Sequence, residues 1–177
     1  MFAPFFTWLE SSAFSVWMRE SPSVFAFPII LAVHTIGMGL LAGINVALDL
    51  RMLGVAARIP LVEFRRLWPF LWLGLWLNVV SGVALIAAYP TKALTNPVFY
   101  VKLTLIAVAL AILRAVRRFR LADGAAPPIP GLRPIKALAV ASLVCWAGAI
   151  TAGRFLAYTY IRLMVDSFPV PRPWIPQ

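Results

Sequence analysis

The sequence predicts an all-α integral membrane protein: a four-helix bundle of membrane spans with an N-terminal interfacial helix. Three observations lead there. Hydrophobic residues make up 62% of the 177 and charged residues only 12%, with a mean hydropathy of +0.89. A soluble domain is nearer half apolar and a quarter charged. Four apolar stretches are long enough, or nearly so, for the ~20 helical residues that cross a hydrocarbon layer. The basic residues collect in short runs beside those stretches. An open chain in lipid must bond its backbone amides within each segment, so the spans are helices.

The N-terminal 22 residues, "MFAPFFTWLESSAFSVWMRESP", are rich in aromatics. They read as an interfacial helix on the outer surface, with Ser11 or Ser12 placed to cap a short helix. No cleaved signal peptide is expected, because a basic leader is missing and Glu10 interrupts the apolar stretch. Span one runs from about Val24 to Leu48, after Ser21-Pro22. Span two, Leu67 to Ala88, carries Pro69 in its first turn, where proline is tolerated. Tyr89-Pro90 ends it and Asn96-Pro97 opens span three, Val98 to about Leu113. "DGAAPPIPGLRP" (Asp123–Pro134) is expected to be a non-helical loop. Span four runs from Ala137 to about Tyr160, and residues 161–177 are expected to form an extended outer tail with Trp174 as an interface anchor. The whole chain, 1–177, reads as a single membrane domain.

Lysine and arginine in short loops set orientation. Arg51, Arg58, Arg65 and Arg66 lie between spans one and two. Arg114, Arg117, Arg118, Arg120, Arg133 and Lys136 lie between spans three and four, whereas only Lys92 lies between two and three. The two basic loops therefore face the cytoplasm, and both termini face outward.

Polar groups inside spans are costly and turn toward the bundle interior. At ~1.5 Å per residue, His34 and Asn78 lie ~15 Å below the outer edge, Arg154 ~9 Å and Lys102 ~6 Å. Each span thus places one polar group in the outer half. No matching set is expected in the inner half, where Asp49 and Arg114 sit near helix ends within reach of the surface. Helical spacing puts Gly37, Met38 and Leu41 on the face of His34, Gly74, Ser81 and Gly82 on that of Asn78, and Thr151 and Tyr158 on that of Arg154. Gly39-x-x-x-Gly43 and Ala149-x-x-x-Gly153 are expected to permit close helix approach.

Each residue has a plainer reading too. His34 is either a cofactor ligand, a proton carrier, or a partner for a neighbouring carbonyl. Lys102 and Arg154 either hold an anion or snorkel to the headgroups. Asn78 reads first as glue between helices. Met38 and Cys145 read as packing, and the stripe Trp68, Trp72, Trp76 as a lipid-facing or packing ridge.

"FPIILAVHTIGMGLLAGINVALDLRMLG" (Phe27–Gly54) with "AGRFLAY" (Ala152–Tyr158) resembles an uncharacterised bacterial four-span family of unknown function. That resemblance implies the bacterial inner membrane and supplies no chemistry. More loosely, a histidine followed by glycines and the lysine of "NPVFYVKLTL" (Asn96–Leu105) resemble the copper resistance protein D domain and the J-type membrane protoporphyrinogen oxidase. The latter resemblance implies haem b, with His34 and Lys102 at the positions that matter. His34 is the only histidine, so bis-histidine ligation within one chain is excluded.

The resulting expectation is a haem or related redox cofactor in the outer half. His34 would be the metal ligand, Lys102 and Arg154 would hold an anionic group, and Asn78 and Tyr158 would support them. Met38 cannot cap the opposite face of the same haem, since an i, i+4 pair on one helix cannot flank a planar ring. The alternatives are a non-catalytic accessory subunit, and copper or small-solute transport. The absence of a mid-membrane carboxylate disfavours cation passage. Expected partners are the lipid bilayer, a membrane redox partner or quinone, and a second copy in a homo-oligomer. Nucleic acid is excluded, because the basic residues are accounted for by topology. Six carboxylates near ends or loops and one histidine leave no acid/base pair, and no nucleophile or nucleotide motif is present.

Overall fold

The computed structural model describes residues 3–120 and 132–167, which are helices and connecting turns with no strand. Four helices are long and apolar enough to cross a membrane, with mean hydropathies of 1.8–2.0. Seven α-helices occur among the described residues: α1 Ala3–Glu10, α2 Ala13–Glu20, α3 Phe27–Leu53, α4 Trp68–Ala88, α5 Pro90–Leu94, α6 Pro97–Arg120 and α7 Leu132–Ser167. A 3-10 helix, Leu61–Leu67, leads into α4.

The predicted N-terminal helix is two helices. Ser11 and Ser12 divide them because serine competes for backbone hydrogen bonds and favours caps over helix interiors. Ser12 caps α2 by accepting from the Ser15 amide at 3.3 Å, and the Ser11 hydroxyl donates to the Trp8 carbonyl at 3.0 Å. This pair does more than lie on a surface. The fully buried Ser15 hydroxyl meets the carbonyls of Leu9 and Ala87. Arg19 donates to the Ala88 carbonyl at 2.9 Å and to the Glu10 carbonyl at 2.6 Å. The last carbonyls of α4 have no partner within their own helix, and a cation there also suits the helix dipole. Glu10 in turn accepts from the Thr91 hydroxyl at 2.6 Å, tying α1 to α5.

Several span ends differ from the sequence expectation. α6 continues past Leu113 to Arg120, since Arg, Ala and Val extend it without a breaker. α7 begins at Leu132, so the last residues of the predicted loop are helical. Pro134 is tolerated there because first-turn amides need no intrahelical acceptor. α7 also runs to Ser167, so residues 161–167 are helical and not extended. The stop falls just before Phe168-Pro169, and a residue before proline is disfavoured in α geometry. The remainder of the Pro/Gly-rich loop and the tail from Phe168, with Trp174, lie outside the described residues.

α3 packs along α4, α6 along α7, and the two hairpins meet through α3 and α7. The predicted glycine pair is not the contact. Gly39 and Gly43 face open space. Gly37 and Gly74 make the close approach instead: a Cβ on Gly37 would lie 2.8 Å from the Asn78 amide nitrogen, and one on Gly74 2.8 Å from Leu40 Cβ. In α7, Ala149 is fully buried and Gly153 seats the Lys102 side chain. The core gathers toward the end of the bundle that carries the α3–α4 connection, around Trp146, Leu41, Leu48, Leu71, Ala109 and Ile135. Ile36, Trp76, Val80, Val83, Val144 and Phe155 point outward, as rows facing lipid should.

Candidate functional site

α3 descends while α4 returns, so His34 comes level with Asn78, Ser81 and Gly82 one helix away. The close crossing at Gly37 and Gly74 makes these contacts short enough for hydrogen bonds. Asn78 Nδ2 donates to the His34 carbonyl at 3.0 Å. His34 Nδ1 lies 3.0 Å from Ser81 Oγ. The Ser81 hydroxyl sends its one proton back to the Leu77 carbonyl, so its oxygen is left to accept. Nδ1 therefore carries the ring proton and Nε2 keeps a free lone pair. Gly82 sits under the ring: a Cβ there would lie 3.3 Å from His34 Cε1.

Lys102 approaches from α6. Its aliphatic chain lies along Gly153, with Nζ 3.8 Å from where a Cβ would stand, and its ammonium is within electrostatic reach of His34. It forms no hydrogen bond or ion pair with a described residue. The site thus presents a bare imidazole nitrogen and an uncompensated ammonium, two groups suited to a metal-bearing or carbonyl-bearing ligand with negative charge.

Arg154 and Tyr158 are exposed on α7, Tyr158 to 64%. Arg154 makes no hydrogen bond or ion pair with a described residue. Of the expected imidazole, ammonium and guanidinium, the first two are within electrostatic reach of each other, and the guanidinium is exposed on α7. Asn78 serves as the helix-to-helix tie that its plainer reading foresaw. Ser81 joins the site without having been expected there; its placement three residues from Asn78 on the same helix face was the available signal.

Met38 and Cys145 pack with the core. Among the described residues no three His, Cys, Asp or Glu side chains gather as a metal-binding group. Of the tryptophan stripe, Trp72 and Trp76 are exposed, and Trp68 and Trp72 line a cavity of about 370 Å³ between α4 and α6. Arg114 and Arg117 also line it, and Arg117 stacks 4.8 Å above the Trp68 ring.

Asp49 does not reach the surface. It is 1% exposed, among Asn45, Ser142 and Trp146, each equally enclosed. The half of the bundle expected to lack a polar set therefore holds one, including a carboxylate. A position near a helix end suggested access, but α7 packs on α3 and brings Ser142 to the Asp49 carboxyl.

A model described as a family of unknown function, DUF6644, matches residues 5–159 of the chain. No curated protein and no solved structure matches it. The likenesses to the copper resistance domain and to the protoporphyrinogen oxidase receive no support from these comparisons.

Proposed function

We propose that this chain, which belongs to the DUF6644 family of unknown function, binds a haem or a related redox cofactor in the outer half of a four-span bundle. His34 Nε2 would be the iron ligand and Lys102 would pair with a propionate. What carries the reading is the hydrogen bond from His34 Nδ1 to Ser81. A ligating histidine characteristically gives its second nitrogen to an orienting acceptor, which fixes the tautomer and aims the lone pair. The uncompensated Lys102 ammonium supports an anionic group beside it.

The same reading places the chain in a bacterial inner membrane as one domain with both termini outside. The support is the charge distribution: Arg51, Arg58, Arg65, Arg66, Arg114, Arg117 and Arg118 all cluster at the end of the bundle opposite Lys92. The chain offers one imidazole, so a haem held here would take a single histidine ligand, His34. A quinone or a membrane redox protein is the corresponding electron partner, and a second copy of the chain is compatible with the exposed apolar rows.

Absorption spectra of the full-length protein, expressed with ample haem and purified in detergent, test the proposal. A Soret band is expected, with visible bands that change on reduction, at about one haem per chain. It should vanish in His34→Ala and weaken in Lys102→Met. A colourless protein refutes haem binding. Copper found at one per chain and lost in His34→Ala would replace the haem reading with the copper one.

A further inference from the structure

The most unusual feature outside the His34 site is the enclosed polar set between α3 and α7. Asn45 and Asp49 stand one turn apart on α3, and Ser142 and Trp146 one turn apart on α7. All four are at most 1% exposed. Asn45 Oδ1 and Nδ2, Asp49 Oδ2, Ser142 Oγ and Trp146 Nε1 have no hydrogen-bond partner among the described residues. Ser142 Oγ lies beside the Asp49 carboxyl without the geometry of a hydrogen bond to it. Buried polar atoms are almost always satisfied, so five in one cluster require an explanation. Arg51, the basic residue closest to Asp49 in sequence, is engaged with the carbonyls of Ala57 and Ile59.

We infer that Asn45, Asp49 and Ser142 form a binding site for a monovalent metal cation, held by Asn45 Oδ1, Asp49 Oδ2 and Ser142 Oγ. Hard oxygen donors without nitrogen or sulfur select an alkali or alkaline-earth ion. A single carboxylate balances one positive charge, which selects the monovalent class. A buried carboxylate needs a counter-charge, and a cation supplies it while using all three free oxygens together. A proton on Asp49 would give the cluster only one further donor and leave acceptors over. Asn45 Nδ2 and Trp146 Nε1 donate to waters that complete the ion's shell. The site lies about four residues, or ~6 Å, from the inner end of α3, so its entry path is from that side. This cation site is independent of any ligand at His34.

The test is thermal unfolding of the full-length protein in detergent, purified in choline chloride. Sodium, lithium or potassium chloride then replaces choline chloride at constant ionic strength. A saturable rise in midpoint with one alkali cation, and not with choline, is expected, because a ligand of the folded state stabilises it. Ser142→Ala, which removes one oxygen, should weaken half-saturation by about tenfold, equivalent to about 1.4 kcal/mol. Asp49→Asn should abolish the saturable rise, whereas His34→Ala should retain it. Equal midpoints in all four salts overturn the inference and assign the cluster to buried water. An unchanged sodium, lithium or potassium response in Ser142→Ala overturns it as well.

Discussion

Replacing Gly37 by alanine tests the contact on which the outer site depends. The new Cβ would stand 2.8 Å from the Asn78 amide nitrogen and 3.0 Å from both the Gly74 carbonyl oxygen and Leu77 Cβ. Ordinary contact begins near 3.4 Å, so α3 and α4 must separate by about half an ångström, and two of the three obstacles are backbone. Overpacking of this kind costs about 1–3 kcal/mol. The separation also loosens the Asn78 and Ser81 hydrogen bonds to His34, at about 1 kcal/mol each. Alanine's better helix propensity returns about 1 kcal/mol. The net loss is about 2–4 kcal/mol, combining these terms. Gly39→Ala and Gly43→Ala meet nothing within 4 Å and should be neutral or stabilise by up to about 1 kcal/mol. Denaturant unfolding in mixed micelles, followed by tryptophan fluorescence, reads all three. If Gly37→Ala is as stable as Gly39→Ala, the tight crossing at Gly37 and Gly74 is not present.

The remaining predictions follow from single contacts. The chain has one histidine, so nitrogen-15 labelling of histidine reports His34 alone. The expected spectrum has a protonated Nδ1 and an unprotonated Nε2, and Ser81→Ala should mix the two tautomers; an Nε2-protonated ring in the parent protein refutes the assignment. Arg19→Met removes a charged donor from two carbonyls, at a cost of about 1.5–3 kcal/mol per such bond. Faster amide exchange across α1 and α2, with α3 unchanged, is the expected readout. Asn96→Ala loses both the acceptor for the Val98 amide and the tie to Thr159, each 2.9 Å long. A loss of about 1–2 kcal/mol is expected in the same unfolding assay.

How far the sequence reaches is clear from particular residues. Four long apolar runs, with prolines and an asparagine at their ends, determine the spans, because each helix in lipid must satisfy its own backbone regardless of its neighbours. Pro69, Asn96-Pro97 and the loop arginines are local signals of this kind. His34, Asn78 and Lys102 were recognisable as site candidates because a polar side chain among apolar ones is anomalous wherever it occurs. Arg154 and Tyr158 share the same anomaly, yet they face outward. Periodicity assigns a side chain to a face of its own helix and says nothing of which neighbour covers that face.

Pairing between helices was decided only by the tertiary structure. Gly37 and not Gly39 makes the crossing, since a difference of two residues turns the small side through about 200° on the helix. Ser81 became the partner of His34 because that crossing brings their levels together. Asp49, so near the end of α3, is enclosed because α7 lies over it, and a chain 93 residues removed supplies Ser142 beside it. Local composition fixes that helices form and span. The contacts between them depend on the rotation and level at which separate helices meet, which no short stretch of sequence encodes.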